Sequence, residues 1–176
     1  MRVTLGGVTT VDLRTLRLRP GEVRTLTLGV ELEPFVLGGQ RYEATPPTIP
    51  VELQISQASG ATVFDVRLDA QLSGACMRCL GHAEVQRPVR AREFHDFDAP
   101  RADELYSDYV VKDHLQLSTW ARDAVALELP DQILCRDDCA GLCPTCGKDL
   151  NVEPHEHAER ELDPRWEVLA QLRDEL

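Results

Sequence analysis

Polar and apolar residues alternate along much of the first half of the chain, with the two-residue period of strands that have one buried face. The clearest example places Phe64, Val66 and Leu68 between charged neighbours. Runs of this kind lie at residues 24–33, 50–56, 61–73 and 83–94. The pattern predicts four strands of an antiparallel sheet, either open or closed into a barrel-like form.

Turn-forming residues separate these runs. Ser59 and Gly60 favour a hairpin between the second and third strands, whereas Gly-Gly and Pro-Pro pairs within residues 38–50 favour a loop. Pro88 lacks a backbone N–H donor. The fourth strand is therefore expected at an edge of the sheet.

A change to helical spacing follows at residues 115–129. Pro130 ends the predicted helix. The residues at helical spacing on its apolar side are Leu117, Trp120, Ala121, Ala124 and Leu127. A helix with one apolar side needs a surface to cover, so we expect it to pack on the sheet with Trp120 in the core. The expected fold is α+β, with a first domain at residues 1–130.

Residues 131–176 are predicted to add a cysteine-rich segment and a C-terminal helix, packed on or beside that domain. Asp163 and Pro164 favour a helix start, because Pro is well tolerated at the first helical position. A narrow apolar stripe then follows on an otherwise charged helix, which could dock on the domain or bind a partner. The candidate partner-binding residues are Arg165, Trp166 and Leu169.

The net charge of −11, from 30 acidic and 19 basic side chains, limits the choice of partner. Tight non-specific binding to nucleic acid depends on Lys and Arg, so a basic protein partner is favoured over bare RNA. An irregular acidic segment at residues 95–113 is a candidate surface for it. Chemical function other than binding is not indicated, because the chain has no Gly-rich phosphate loop, Gly-x-Ser-x-Gly turn or His-Glu-x-x-His motif.

The chain lacks both a long apolar segment and the pattern of a secretory leader. We therefore expect a cytoplasmic protein with no membrane partner and no evident small-molecule substrate. In a reducing compartment, closely spaced cysteines are more often metal ligands or redox centres than structural disulfides.

Six cysteines form three closely spaced pairs. Two residues separate the members of the first and third pairs, and three separate those of the second. Such spacing lets one tight turn direct two thiolates at a single ion, and zinc prefers four thiolate or imidazole ligands. The candidate zinc ligands, four per ion, are Cys76, Cys79, Cys135, Cys139, Cys143 and Cys146.

Several assignments of these ligands remain open. The last four cysteines could form a local site, or the pair at residues 76 and 79 could join either of the other two pairs; a two-zinc cluster with bridging thiolates is a further alternative. The possible substitute ligands are His82, His155 and His157. With thiols in excess, we expect these histidines to be solvated. The other hypotheses for the thiols are a redox dithiol, whose motif normally opens a helix, and an unmetallated core.

The spacing and identity of these residues resemble the YceD family, also known as DUF177. The matching features are Cys-x-Arg-Cys-Leu at residues 76–80, Leu129-Pro130, the Cys-x-x-x-Cys-x-Gly-Leu-Cys-Pro-x-Cys-Gly-x-Asp-Leu-Asn motif at 135–151, and the Asp-Pro-Arg start of the last helix at 163–176. They cover roughly the second half of the chain. The first half matches only in general character.

The resemblance implies a ribosome biogenesis factor required for accumulation of large-subunit (23S) ribosomal RNA, with no defined catalytic residues. The expected partners are pre-50S ribosomal components, and a basic ribosomal protein or assembly factor fits the acidic charge better than bare RNA. The alternative functions are a zinc-ribbon nucleic-acid or transcription-associated module and a thiol redox protein.

Overall fold

The fold consists mainly of antiparallel strands, in the residues that the computed structural model describes: 7, 9–16, 18–58, 60–98, 100 and 104–157. In chain order the strands and the helix are β1 (Val11–Asp12), β2 (Val23–Glu31), β3 (Phe35–Leu37), β4 (Gln40–Ala44), β5 (Thr48–Gln57), β6 (Thr62–Ala75), β7 (His82–His95), β8 (Val110–Val111), β9 (His114–Leu115) and α1 (Leu117–Glu128). The antiparallel sheet and the helix agree with the pattern of the sequence.

Strand β6 organises the larger sheet. It pairs with β7 along its whole length, and its other edge is shared by β5 and β4. Beyond β5 lies β2, and beyond β4 lies β3. Among the described strands β7 pairs only with β6, so Pro88 lies on an edge strand, opposite Asp69. No described pairing joins β2 to β7, and the barrel-like closure is not confirmed.

The segment 38–50, expected to be a loop, contains strand β4 and the start of β5. Residue Tyr42 explains the difference, because its side chain is fully buried and its hydroxyl donates to the carbonyl of Ala75 at 2.7 Å. Tyr42 also faces Gly74 on β6, where any side chain would collide with the Tyr42 ring. The partner of Tyr42 on β3, Phe35, is also buried. Two isolated aromatic residues on different strands give no period to recognise in the sequence.

The core lies between the inner face of the larger sheet and α1. Phe64 and Val66 of β6 belong to the same buried cluster as Trp120 and Val125 of the helix. Helix α1 contacts both β7 and β2, so it spans the sheet as its apolar side predicts. Trp120 is 3% exposed, which makes it a core residue.

A second, three-stranded sheet is formed by β1, β9 and β8. It includes part of the acidic segment that was expected to be irregular. His95, at the start of that segment, is buried, and its Nδ1 accepts a hydrogen bond from the backbone N–H of Ser107 at 3.2 Å. Strands of two residues are too short to show a periodic pattern, which is why the sequence does not indicate them.

The chain divides into two compact units after Cys139, later than the expected boundary after residue 130. The first unit keeps the segment that carries Cys135 and Cys139, because that segment packs on the turn between β6 and β7. The second unit begins at Ala140. None of the helices in the described ranges is long and apolar enough to cross a membrane.

The predicted C-terminal helix falls on residues that lie outside those described. The same is true of the candidate partner-binding residues Arg165, Trp166 and Leu169.

Candidate metal centres

The first pair of cysteines lies in the hairpin turn between β6 and β7. The N–H of Cys76 donates to the carbonyl of Gly81 at 2.6 Å, and the N–H of Leu80 donates to the carbonyl of Cys76 at 3.0 Å. Leu80 has a positive φ of 62°, which closes the turn. The backbone N–H of Arg78 points at the Cys76 sulfur, 3.4 Å away, as in turns whose amides stabilise a thiolate.

The second pair reaches this turn on a segment that follows α1. The N–H of Met77 donates to the carbonyl of Ile133 at 2.9 Å, and Ile133 is itself buried in the core. Arg78 adds two side-chain hydrogen bonds, to Gln132 Oε1 at 3.2 Å and to the carbonyl of Cys139 at 3.1 Å. These contacts hold the segment 132–139 against the hairpin turn.

As a result, four sulfur atoms meet in one cluster, which we call the four-thiol cluster. The Sγ atoms of Cys76 and Cys139 are 3.8 Å apart, and those of Cys79 and Cys135 are 3.6 Å apart. All four lie within 4.8 Å of one another. Zinc bonds thiolates at about 2.3 Å, which makes the sulfur–sulfur edge of a tetrahedron about 3.8 Å. The cluster therefore has the size that a metal ion of this kind requires.

The electrostatics of the cluster also suit a cation. Burial works against ionisation of the Cys76 thiol, but hydrogen bonds from the backbone N–H groups of Cys79 and Arg78 outweigh it and lower the pKa to about 6. For Cys135, burial and the neighbouring sulfurs act together and raise the pKa to about 12. Four thiolates this close repel one another unless a cation lies between them. A divalent metal ion would remove that repulsion.

The third pair of cysteines belongs to the second unit and forms a separate group with two histidines. The donor atoms of Cys143, Cys146, His155 and His157 all lie within 4.8 Å of one another. Backbone N–H groups, first that of Cys146, lower the pKa of Cys143 to about 6, although burial opposes the shift. We call this group the Cys/His cluster; like the four-thiol cluster, it could hold a metal ion.

Of the pairings that the sequence left open, the structure brings together Cys76, Cys79, Cys135 and Cys139. Sequence reasoning gave His155 and His157 as possible substitute ligands but favoured solvated rings, whereas the structure places both beside the third pair. The available signal was the His-x-His spacing shortly after Cys146. His82 differs from them, because its exposed ring contacts Glu84 at 3.0 Å.

Comparison with known proteins gives a consistent result. The family described as "Large ribosomal RNA subunit accumulation protein YceD" matches residues 64–173. An uncharacterized protein of Mycobacterium tuberculosis is 30% identical over 175 residues, covering 93% of this chain and 80% of the relative. An uncharacterized protein of Mycobacterium leprae is 29% identical over 173 residues, covering 92% of this chain and 76% of the relative.

The similarity extends to a more distant relative. The uncharacterized protein YlbN of Bacillus subtilis is 26% identical over 113 residues, which cover 62% of this chain and 64% of YlbN. No solved structure matches the chain. The family match includes nearly all of β6, the whole of β7 and α1, and all six cysteines.

Proposed function

Because the chain belongs to the YceD family, we propose that it is a ribosome biogenesis factor that supports accumulation of large-subunit (23S) ribosomal RNA in the cytoplasm. The observation that carries the proposal is the family match over residues 64–173, which includes the hairpin, the helix and both clusters. Within the proposal, the protein acts by binding and not by catalysis.

The composition of the four-thiol cluster supports a binding role. A zinc ion held by four cysteine sulfurs has no open position for water or substrate, unlike a catalytic zinc with three protein ligands. We propose zinc for this site, because four thiolates at these distances are a ligand set that a tetrahedral zinc ion prefers. Its role is to fasten the segment 132–139 to the hairpin turn, and so to fix the surface that a partner meets.

The proposed partner is a basic ribosomal protein or assembly factor within pre-50S particles. The net charge of −11 opposes tight binding to bare RNA. Segment 95–113 adds a suitable surface, since exposed Asp98 and Glu104 accompany two apolar side chains, Phe97 at 50% and Leu105 at 41% exposure. Acidic groups around exposed apolar side chains are complementary to the surface of a positively charged protein. The predicted helix with Trp166 is a second candidate surface.

The experiment is co-sedimentation of the tagged protein with pre-50S particles in cells, followed by crosslinking to identify the contacted protein or RNA. We expect a basic protein to be the main crosslinked species. Asp98→Asn together with Glu104→Gln should reduce co-sedimentation several-fold. The control, Asp69→Asn with Asp131→Asn, removes two exposed acids elsewhere and should leave it unchanged.

Salt dependence separates the alternatives. Direct binding to ribosomal RNA would give an affinity that falls steeply as salt rises, because each Lys or Arg contact to a phosphate releases counterions. Tight binding to purified 23S ribosomal RNA at physiological salt, without any protein partner and with this steep salt dependence, would overturn the proposed mechanism. Normal levels of 23S ribosomal RNA after depletion of the protein would overturn the proposed function itself.

A further inference from the structure

The Cys/His cluster is a second, complete set of metal ligands. We propose that Cys143, Cys146, His155 and His157 bind a Zn²⁺ ion of their own, so that the chain carries two zinc ions at independent sites. This inference goes beyond the proposed function, because it concerns metal stoichiometry and the folding of the second unit and does not depend on the ribosomal partner.

The backbone around the first two ligands forms a tight turn on a short hairpin. The N–H of Cys143 donates to the carbonyl of Lys148 at 2.8 Å, and its own carbonyl accepts the N–H of Gly147 at 2.8 Å. Leu142 and Asp149 close the hairpin as an antiparallel bridge. Gly147 has a positive φ of 74°, which L residues rarely adopt. This turn directs both sulfurs to the same side.

Polar contacts then return the chain toward the sulfurs. Asp149 Oδ1 accepts hydrogen bonds from the backbone N–H of Asn151 at 2.9 Å and from its Nδ2 at 2.6 Å. Asn151 Oδ1 accepts the N–H of Ala140 at 2.8 Å, and Lys148 Nζ contacts Glu153 Oε1 at 2.9 Å. The path from the turn to the histidines is thus fixed by side chains of the same loop.

The orientation of His155 is that of a metal ligand. Its Nδ1–H donates to the carbonyl of Glu153 at 2.8 Å, which places the proton on Nδ1 and leaves the lone pair of Nε2 free to bind. That Nε2 lies 3.1 Å from the Cys146 sulfur. A hydrogen bond from one ring nitrogen to a backbone carbonyl is the usual support of a histidine that binds metal through the other.

The packing of this loop gives a separate argument. Among residues 140–157 only Gly141 and Cys143 are buried, and the one large aliphatic side chain near the histidines, Val152, is 81% exposed. A segment without buried apolar side chains cannot offset the entropy of ordering its backbone by the hydrophobic effect. Small segments of this kind need another source of stability, and a bound metal ion is one that the four donor atoms here can supply.

Zinc is the metal that fits these donors. Two thiolates and two imidazoles favour a tetrahedral ion of intermediate softness, whereas Mg²⁺ and Ca²⁺ require oxygen ligands. In the part of the chain that the structure describes, the cluster includes no carboxylate, and its four donors would fill all four positions of a tetrahedron. The site is therefore structural.

The test is zinc content per full-length chain, measured by elemental analysis after removal of loosely bound metal. We expect about two zinc ions per chain. His155→Asn with His157→Asn should reduce the content to about one, whereas the matched control, His82→Asn with His114→Asn, should retain both. About one zinc in the unaltered chain, or no difference between the two double variants, would overturn the proposal.

Replacement of zinc by Co²⁺ supplies a measurement that can first be made on the unaltered chain. The visible spectrum should contain two components, one from a four-thiolate site and one from a mixed thiolate–imidazole site, and only the second should disappear in the His155→Asn, His157→Asn variant. A spectrum with a four-thiolate component alone would contradict a second site. So would rapid formation of a Cys143–Cys146 disulfide in the zinc-loaded protein under mild oxidation.

Discussion

The two clusters use similar ligands but rest on different kinds of structure. The four-thiol cluster lies at the end of a hairpin of two long strands whose inner face is buried under α1. The Cys/His cluster lies on a loop whose described residues bury no large apolar side chain. In the first unit a metal ion would fasten one segment to an existing core. In the second, the metal would itself supply the stability that a core normally provides.

The largest expected difference between the units is their response to a chelator. At a chelator concentration that removes all zinc, we expect the amides of Cys143 and Gly147 to exchange hydrogen at the rate of an unfolded chain, because no core remains to protect them. The amides of Val66 and Leu68, in the centre of the larger sheet, should stay protected. Hydrogen–deuterium exchange resolved by residue measures both, and equal loss of protection in the two units would contradict the comparison.

A substitution in the hydrophobic core should destabilise the first unit and leave the second unit folded. Trp120→Ala removes a large buried side chain and should lower the free energy of unfolding of the first unit by about 3–5 kcal/mol. Urea denaturation monitored by circular dichroism measures the loss. Leu127→Ala, on the same helix but at an 87% exposed position, is the matched control and should change stability by less than about 0.5 kcal/mol.

The Trp120→Ala variant also tests whether the second unit depends on the first. We expect the cobalt signal of the Cys/His cluster to persist at urea concentrations that unfold the sheet of this variant. If the cobalt signal of the Cys/His cluster and the circular dichroism signal of the sheet were lost at the same urea concentration, the stability of the second unit would depend on the core of the first.

A smaller effect is expected where the sheet meets the first cysteine turn. Tyr42→Phe removes the hydrogen bond from the Tyr42 hydroxyl to the carbonyl of Ala75, which precedes Cys76. The expected cost is about 1 kcal/mol in urea denaturation, because the ring remains and only one hydrogen bond is lost. Zinc content should not change. Loss of metal from this variant would mean that the turn depends on β4 more strongly than its own hydrogen bonds indicate.

The smallest effect is expected on the outer face of the sheet. Arg92 Nε lies 2.7 Å from Asp65 Oδ1, but the Arg92 side chain is 61% exposed. Ion pairs in such positions contribute little, because solvent screens the charges and the side chains lose freedom. Arg92→Ala should leave the urea midpoint within experimental error. A clear decrease would indicate that polar contacts outside the core also hold the first unit.

Much of this fold follows from local patterns in the sequence. The alternation in β2, β5, β6 and β7 and the helical spacing in α1 record which side chains are buried, so they indicate both the elements and their inner faces. Strands β3 and β4 could not be predicted from a periodic pattern. They depend on the contact of Tyr42 with Gly74 and Ala75, which are distant in the chain.

The sequence by itself determined that thiols at two- and three-residue spacing lie in turns that could hold a metal ion, because the geometry of such a turn is local. Which turns meet was decided only by the tertiary structure. The pairing of β6 with β7 places Cys76 and Cys79 at one end of the sheet, and the burial of Ile133 brings Cys135 and Cys139 to the same place. The third pair is left with His155 and His157, since the polar contacts of its own loop return the chain to them. Contacts between distant segments depend on how the whole core packs. The spacing of cysteines along the chain therefore does not predict which turns meet.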